Sequence, residues 1–300
     1  MNRGTLRASK AQEDGMRLRH TLIALALTGA TLAGGTAFAD EAEVHYRMCL
    51  VHKRAGRLEQ ALQECREASR RRPSHSAAHF TTGSLLRRLG RLEAALQEYQ
   101  RAAELDPSNG NGNVHGMIGA VLIRLRRYAD AIEPLRRACE RAPDEASNWS
   151  NLGLVYRRLR RFDDAMRAYQ SGLTRHPDHP DLLNNLAVVM RRQRMNEQAI
   201  VLLQQALARN PDSAQIHQNL AISLRASERC DEAIPHYRRA LELGARGGDL
   251  LFDLAICYEQ VGDFDQAIAT YERYVSEIEG NDAAAAQRVR DTIERLRRRR

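Results

Sequence analysis

Prolines at 73, 107, 143, 177 and 211 set a beat through most of this chain, with steps of 34, 36, 34 and 34 residues. A fixed period of that length marks a solenoid of stacked supersecondary units rather than a domain around one central core. The unit is clearest in residues 146–177, where Trp149, Leu152, Gly153, Tyr156, Ala165, Tyr169 and Pro177 stand at repeat positions 4, 7, 8, 11, 20, 24 and 32. Spacings of three and four put positions 4, 7, 8 and 11 on one face of a first helix, and positions 20, 24 and 27 on one face of a second. Each unit therefore reads as an antiparallel helix pair.

The register gives seven units, 42–75, 76–109, 112–145, 146–179, 180–213, 214–247 and 248–279, with Gly110 and Asn111 as the two residues that lengthen one step. Position 20 is alanine in all seven, from Ala61 to Ala267, and position 8 is small in six: Gly83, Gly119, Gly153, Ala187, Ala221 and Ala255. The expectation is that small meets small where the two helices cross. Pro134 and Pro235 fall inside second helices and are expected to kink them. Residues 281–300 read as a capping helix with a basic tail, started by Asn281 or Asp282 and carrying Ala286, Val289, Ile293 and Leu296 as its apolar stripe.

These residues resemble the tetratricopeptide repeat (TPR) family. The resemblance covers about four fifths of the chain and implies an all-α, right-handed α-solenoid of about seven repeats plus a C-terminal capping helix. It also implies a concave groove lined by positions 2, 5, 6, 9, 12 and 13 of the first helices, which such proteins use to bind partners.

At those positions the chain is patterned. Positions 12 and 13 hold Lys53 and Arg54, Arg87 and Arg88, Ile123 and Arg124, Arg157 and Arg158, Arg191 and Arg192, then Arg225 and Ala226. Guanidinium groups grip carboxylates, phosphates or sulfates with a two-pronged fork. The competing reading is of solvated helix ends whose counter-ions come from acidic second helices. Position 6 is Asn151, Asn185 and Asn219 in consecutive units, with Asn184 beside the middle one, and carboxamides can clasp the main chain of an extended peptide. The paired lysine and asparagine of chaperone-tail receptors are missing, since position 9 is Leu154, Val188, Ile222 and Ile256.

Charge does not point to nucleic acid. The chain carries +8, but the first 39 residues hold five basic and two acidic side chains and the last twenty hold seven and three, leaving the array nearly neutral. Those first 39 residues read as a leader: Arg17 and Arg19, an apolar run from Thr21 to Ala33, then Ala37-Phe38-Ala39 as a cleavage site after Ala39. Met16 is a second candidate start, and an uncleaved anchor is the alternative to cleavage, the one route besides a partner to a membrane. Export to the periplasm is the expectation.

Repeat one sets His45, Cys49, His52 and Cys65 at positions 4, 8, 11 and 24. Three readings stay open: free buried thiols, a Cys49–Cys65 disulfide, or a metal held by all four. Cys139, Cys230 and Cys257 read as core fillers, and the position-4 histidines His45, His79, His115 and His217 as packing. No nucleophile motif or phosphate loop occurs, so no enzyme and no cofactor is expected. The function that fits is a protein-interaction scaffold of the cell envelope gripping an extended or acidic partner segment. The alternatives are an acidic-glycan binder or accessory subunit of an envelope polysaccharide or glycosyl-transfer machine, and a metal-binding protein through repeat one.

Overall fold

The computed structural model describes residues 41–107 and 114–299; the leader with its cleavage site, and Gly110 and Asn111, lie outside the described residues. These hold fifteen α-helices and no strand. They divide into two compact units at Ala138. The first contains α1 (Glu41–Arg54), α2 (Leu58–Arg71), α3 (Ser76–Arg88), α4 (Leu92–Leu105), α5 (Val114–Arg124) and α6 (Tyr128–Arg141) as far as Ala138. The second begins with α7 (Ala146–Arg158), α8 (Phe162–Arg175), α9 (Pro180–Arg192), α10 (Asn196–Arg209) and α11 (Ala214–Ala226). It continues through α12 (Cys230–Glu242), α13 (Gly248–Gln260), α14 (Phe264–Ile278) and α15 (Ala283–Arg297).

Within a pair, the helices approach closely because all seven position-20 alanines are fully buried. Position 8 is crowded from the second helix. It meets position 24: a Cβ built on Gly83 would lie 2.9 Å from the ring of Tyr99, one on Gly119 2.4 Å from Leu135, and one on Gly153 2.4 Å from Tyr169. The glycines therefore make room for the position-24 side chain of the second helix.

Each pair turns in the same way. The residue at position 15, Gly56, Gly90, Arg126, Arg160, Arg194, Glu228 or Gly262, adopts positive φ between 59° and 81°. The next residue's N–H then reaches back to the carbonyl at position 11, as in Arg161 to Tyr156 at 2.9 Å and Arg229 to Leu224 at 3.0 Å. That is the left-handed helix C-cap, which satisfies carbonyls that would otherwise lose their partners.

Position 4 supplies the link to the preceding proline. Trp149 donates from Nε1 to the Pro143 carbonyl at 2.8 Å, and His79 and His217 contact the carbonyls of Pro73 and Pro211 through Nε2 at 3.2 and 3.0 Å. Pro134 and Pro235 leave α6 and α12 as single helices. Asp282, not Asn281, caps α15 by accepting from the Ala285 N–H at 2.9 Å. The four buried residues of α15 are Ala286, Val289, Ile293 and Leu296, which close the apolar core of the second unit.

Candidate interaction face

In the second unit the first helices α7, α9, α11 and α13 touch in sequence and form one layer. Their last turns carry the arginines. Arg157, Arg191 and Arg225 are half-buried, while Arg158 and Arg192 are exposed. The Nε atoms of Arg157, Arg191 and Arg225 are buried and have no hydrogen-bond acceptor. Burial, with Arg192 next in effect, lowers the pKa of Arg191, while Tyr237 and Asp253 act the other way. Its charge persists at neutral pH, because a guanidinium starts so high.

The counter-ions sit elsewhere. On the second helices and the turns, Arg161 and Arg167 share Asp164, Arg209 binds Asp178, Arg229 binds Glu197 and Glu232, and Arg239 binds Asp212 and Glu242. On the first-helix face one arginine is matched: Arg225 Nη2 lies 3.0 Å from Asp253 Oδ1, and Tyr237 donates to Asp253 Oδ2 at 3.3 Å. Burial raises the pKa of Asp253, with Arg225 opposing it. Arg157, Arg158, Arg191 and Arg192 form no ion pair among the described residues, and the Asp253 carboxylate reaches Arg191 only at longer range.

The asparagines separate into two groups. Asn184 and Asn219 are buried and bonded to each other, so their amides brace α9 against α11. Asn185 is half-buried and donates to Ser150 Oγ at 3.2 Å, and Asn151 is half-buried. Position 9 of the same four helices holds Leu154, Val188, Ile222 and Ile256, each partly exposed.

In the first unit, Arg124 donates from Nη1 to the Arg87 carbonyl at 3.3 Å and so ties α5 to α3. Arg87 is half-buried with its Nε unmatched, and Arg88 is exposed. Lys53 has its pKa lowered by burial and then by Arg88.

The repeat-one residues do not assemble as a metal site. Cys49 and Cys65 are bonded to each other, and His45 Nδ1 lies 2.6 Å from Glu64. Burial and then Arg57 lower the pKa of His52, Glu64 opposing. Cys230 and Cys257, expected as core fillers, are also bonded to each other, joining α12 to α13 with Cα atoms 4.9 Å apart. Cys139 is free and buried, its thiol pushed up to about 12 chiefly by burial.

Tyr169, Tyr237 and Asp253 were not singled out by the sequence pattern. The signal was present: arginine at position 12 coincides with tyrosine at position 24 in three repeats, and Asp253 is the lone acid at position 6.

The family described as the cilia and flagella-associated protein 70 C-terminal domain matches residues 11–251, and a tetratricopeptide repeat family matches 218–286. No curated protein matches the chain. Among solved structures, a tetratricopeptide repeat protein from Parabacteroides merdae aligns with a TM-score of 0.61 at 14% identity, covering 85% of this chain and 98% of that one. Pseudomonas aeruginosa pilF aligns at 0.60 and 18%, covering 75% and 97%. YrrB, described as a TPR protein with an unusual peptide-binding site, aligns at 0.54 and 21%, covering 60% and 91%. At such identities the likeness is one of fold.

Proposed function

Because the chain belongs to the family of the cilia and flagella-associated protein 70 C-terminal domain, a tetratricopeptide repeat family, we propose that it is a non-catalytic interaction scaffold. Its partner is a protein that lays an extended, acidic segment along the first helices of the second unit. One observation carries this reading: acidic side chains pair with Arg161, Arg167, Arg209 and Arg229 on the second helices and turns, while Arg157, Arg158, Arg191 and Arg192 on the face of α7 and α9 form no ion pair among the described residues. Half-buried cations flanked by apolar Leu154 and Val188 gain more from an incoming carboxylate than solvated ones do, because the local dielectric is lower. Asn151 and Asn185 are left to meet main chain. YrrB, described as having a peptide-binding site, supports the reading by fold alone.

The same reading sets the chain outside the reducing cytosol, as the leader pattern suggests. Two cysteine pairs bonded within a non-redox architecture support it.

The test uses fluorescence anisotropy on the full chain with labelled octaglutamate and octaglutamine peptides and an acidic polysaccharide. Octaglutamate binds, octaglutamine does not, and the double variant Arg191→Gln/Arg192→Gln loses about tenfold in affinity. Binding of the polysaccharide with no binding of octaglutamate sinks the peptide reading in favour of a glycan.

A further inference from the structure

A tyrosine occupies position 24 in four repeats, and each hydroxyl needs an acceptor once buried. Tyr99 donates to Ser84 Oγ at 3.1 Å, Tyr237 to Asp253 at 3.3 Å and Tyr271 to Glu259 at 3.2 Å. Tyr169 is fully buried, and its hydroxyl has no acceptor among the described residues. Leu154 stands where Ser84 serves Tyr99, which removes the acceptor within the repeat. Arg157 lies beside the phenol, but a guanidinium holds donors only, so the phenolic proton is unmatched however that group turns. The Arg157 Nε is itself buried and unmatched. Burial pushes the Tyr169 pKa up to about 12, with Arg157 pulling the other way, so the hydroxyl keeps its proton at neutral pH.

The α11–α13 junction holds the same pair already filled. Arg225 and Tyr237 occupy positions 12 and 24, and the Asp253 carboxylate bridges them, one oxygen to the guanidinium and the other to the phenol. Asp253 comes from position 6 of the next repeat. The residue at that place after Arg157 and Tyr169 is Asn185, a neutral amide that donates to Ser150 instead. Two buried donors without an acceptor, one of them cationic, select an anion with two separated oxygens.

We propose that Arg157 and Tyr169 form a seat for one carboxylate of the bound peptide, an Asp or Glu side chain that occupies the place Asp253 fills between Arg225 and Tyr237. This rests on the acidic-segment reading above and assigns that segment a fixed anchor. The exposed Arg158 and Arg192 steer the chain, and the Arg157–Tyr169 pair sets its register.

The experiment titrates the full chain, labelled with 13C at tyrosine Cζ, with octaglutamate, and Tyr169→Phe identifies the Tyr169 resonance. Octaglutamate shifts that resonance and leaves Tyr237 in place. Tyr169→Phe and Arg157→Gln each weaken binding about tenfold, and Tyr237→Phe changes it less than about twofold. The wild-type resonance keeps the test valid should a variant unfold. Undiminished binding to Tyr169→Phe with an unmoved wild-type resonance overturns the seat while leaving the acidic-segment reading intact. No octaglutamate binding to the wild-type chain overturns both.

Discussion

Asn219 donates from its amide nitrogen to the amide oxygen of Asn184, 2.8 Å away, and both side chains are buried between α9 and α11. The bond joins first helices of consecutive pairs, so it holds the layer that presents the arginines. Asn219→Ala is expected to leave the Asn184 oxygen unmatched and to cost about 1 to 3 kcal/mol. Urea unfolding measures it. Octaglutamate binding per folded molecule should not change, which separates this brace from Asn151 and Asn185, the asparagines proposed to meet the peptide.

The turn at position 15 gives a prediction with both signs. Arg160 sits at φ 60° and Gly90 at φ 76°, the same left-handed cap filled by a residue with a Cβ and one without. A side chain there strains against the following carbonyl by about 1 kcal/mol or more. Arg160→Gly should raise stability by about 0.5 to 1 kcal/mol and Gly90→Ala should lower it by about 1 kcal/mol, although nothing lies within 4 Å of the added Cβ. Equal melting temperatures for all three proteins would show that the turn is not under strain.

The helix pairs were legible because their signals are local and repeated: position-20 alanines, period-three-and-four apolar faces and prolines at fixed intervals. The site was only half legible. Arg157 and Arg191 could be named from their register, yet whether an arginine is free depends on acids that arrive from other helices, as Asp253 does for Arg225. Asn184 and Asn219 look like groove residues along the sequence and turn out to face each other, because adjacent positions on neighbouring helices meet only once the crossing is fixed. The Cys230–Cys257 bond was missed for the same reason: its partners lie in different repeats, on α12 and α13.

The two cysteine bonds span sequence separations of 16 and 27, and each is expected to contribute about 3 kcal/mol by restricting the unfolded chain. Reduction should therefore lower the unfolding midpoint, and Cys49→Ala/Cys65→Ala should reproduce part of the loss. Alkylation followed by mass spectrometry of unreduced, denatured protein should label Cys139 alone, and in the native state should label nothing, since that thiol is buried and holds its proton. Five labelled cysteines in protein purified from an oxidising compartment would remove both the bonds and the support they give to export.

Acid should destabilise the second unit through one imidazole pair. His217 Nε2 faces the Pro211 carbonyl at 3.0 Å, and a carbonyl only accepts, so that nitrogen carries a proton. Its Nδ1 is then the acceptor toward His236 Nδ1, also 3.0 Å away. Burial lowers the His236 pKa, His217 adds to the effect and Glu232 opposes it. With the native value below the unfolded 6.5, the unfolded chain takes up the proton first as pH falls. Stability is whole above about pH 6.5, declines as pH falls toward the native pKa, and levels off beneath it. His52 and His75 in the first unit shift in the same direction, so a single variant removes only part of the slope. His236→Gln keeps a donor toward His217 and cannot be charged. Melting temperatures at pH 8 and pH 5 should differ less for this variant than for the wild type, and an unchanged difference would exclude the pair as a source of the acid sensitivity.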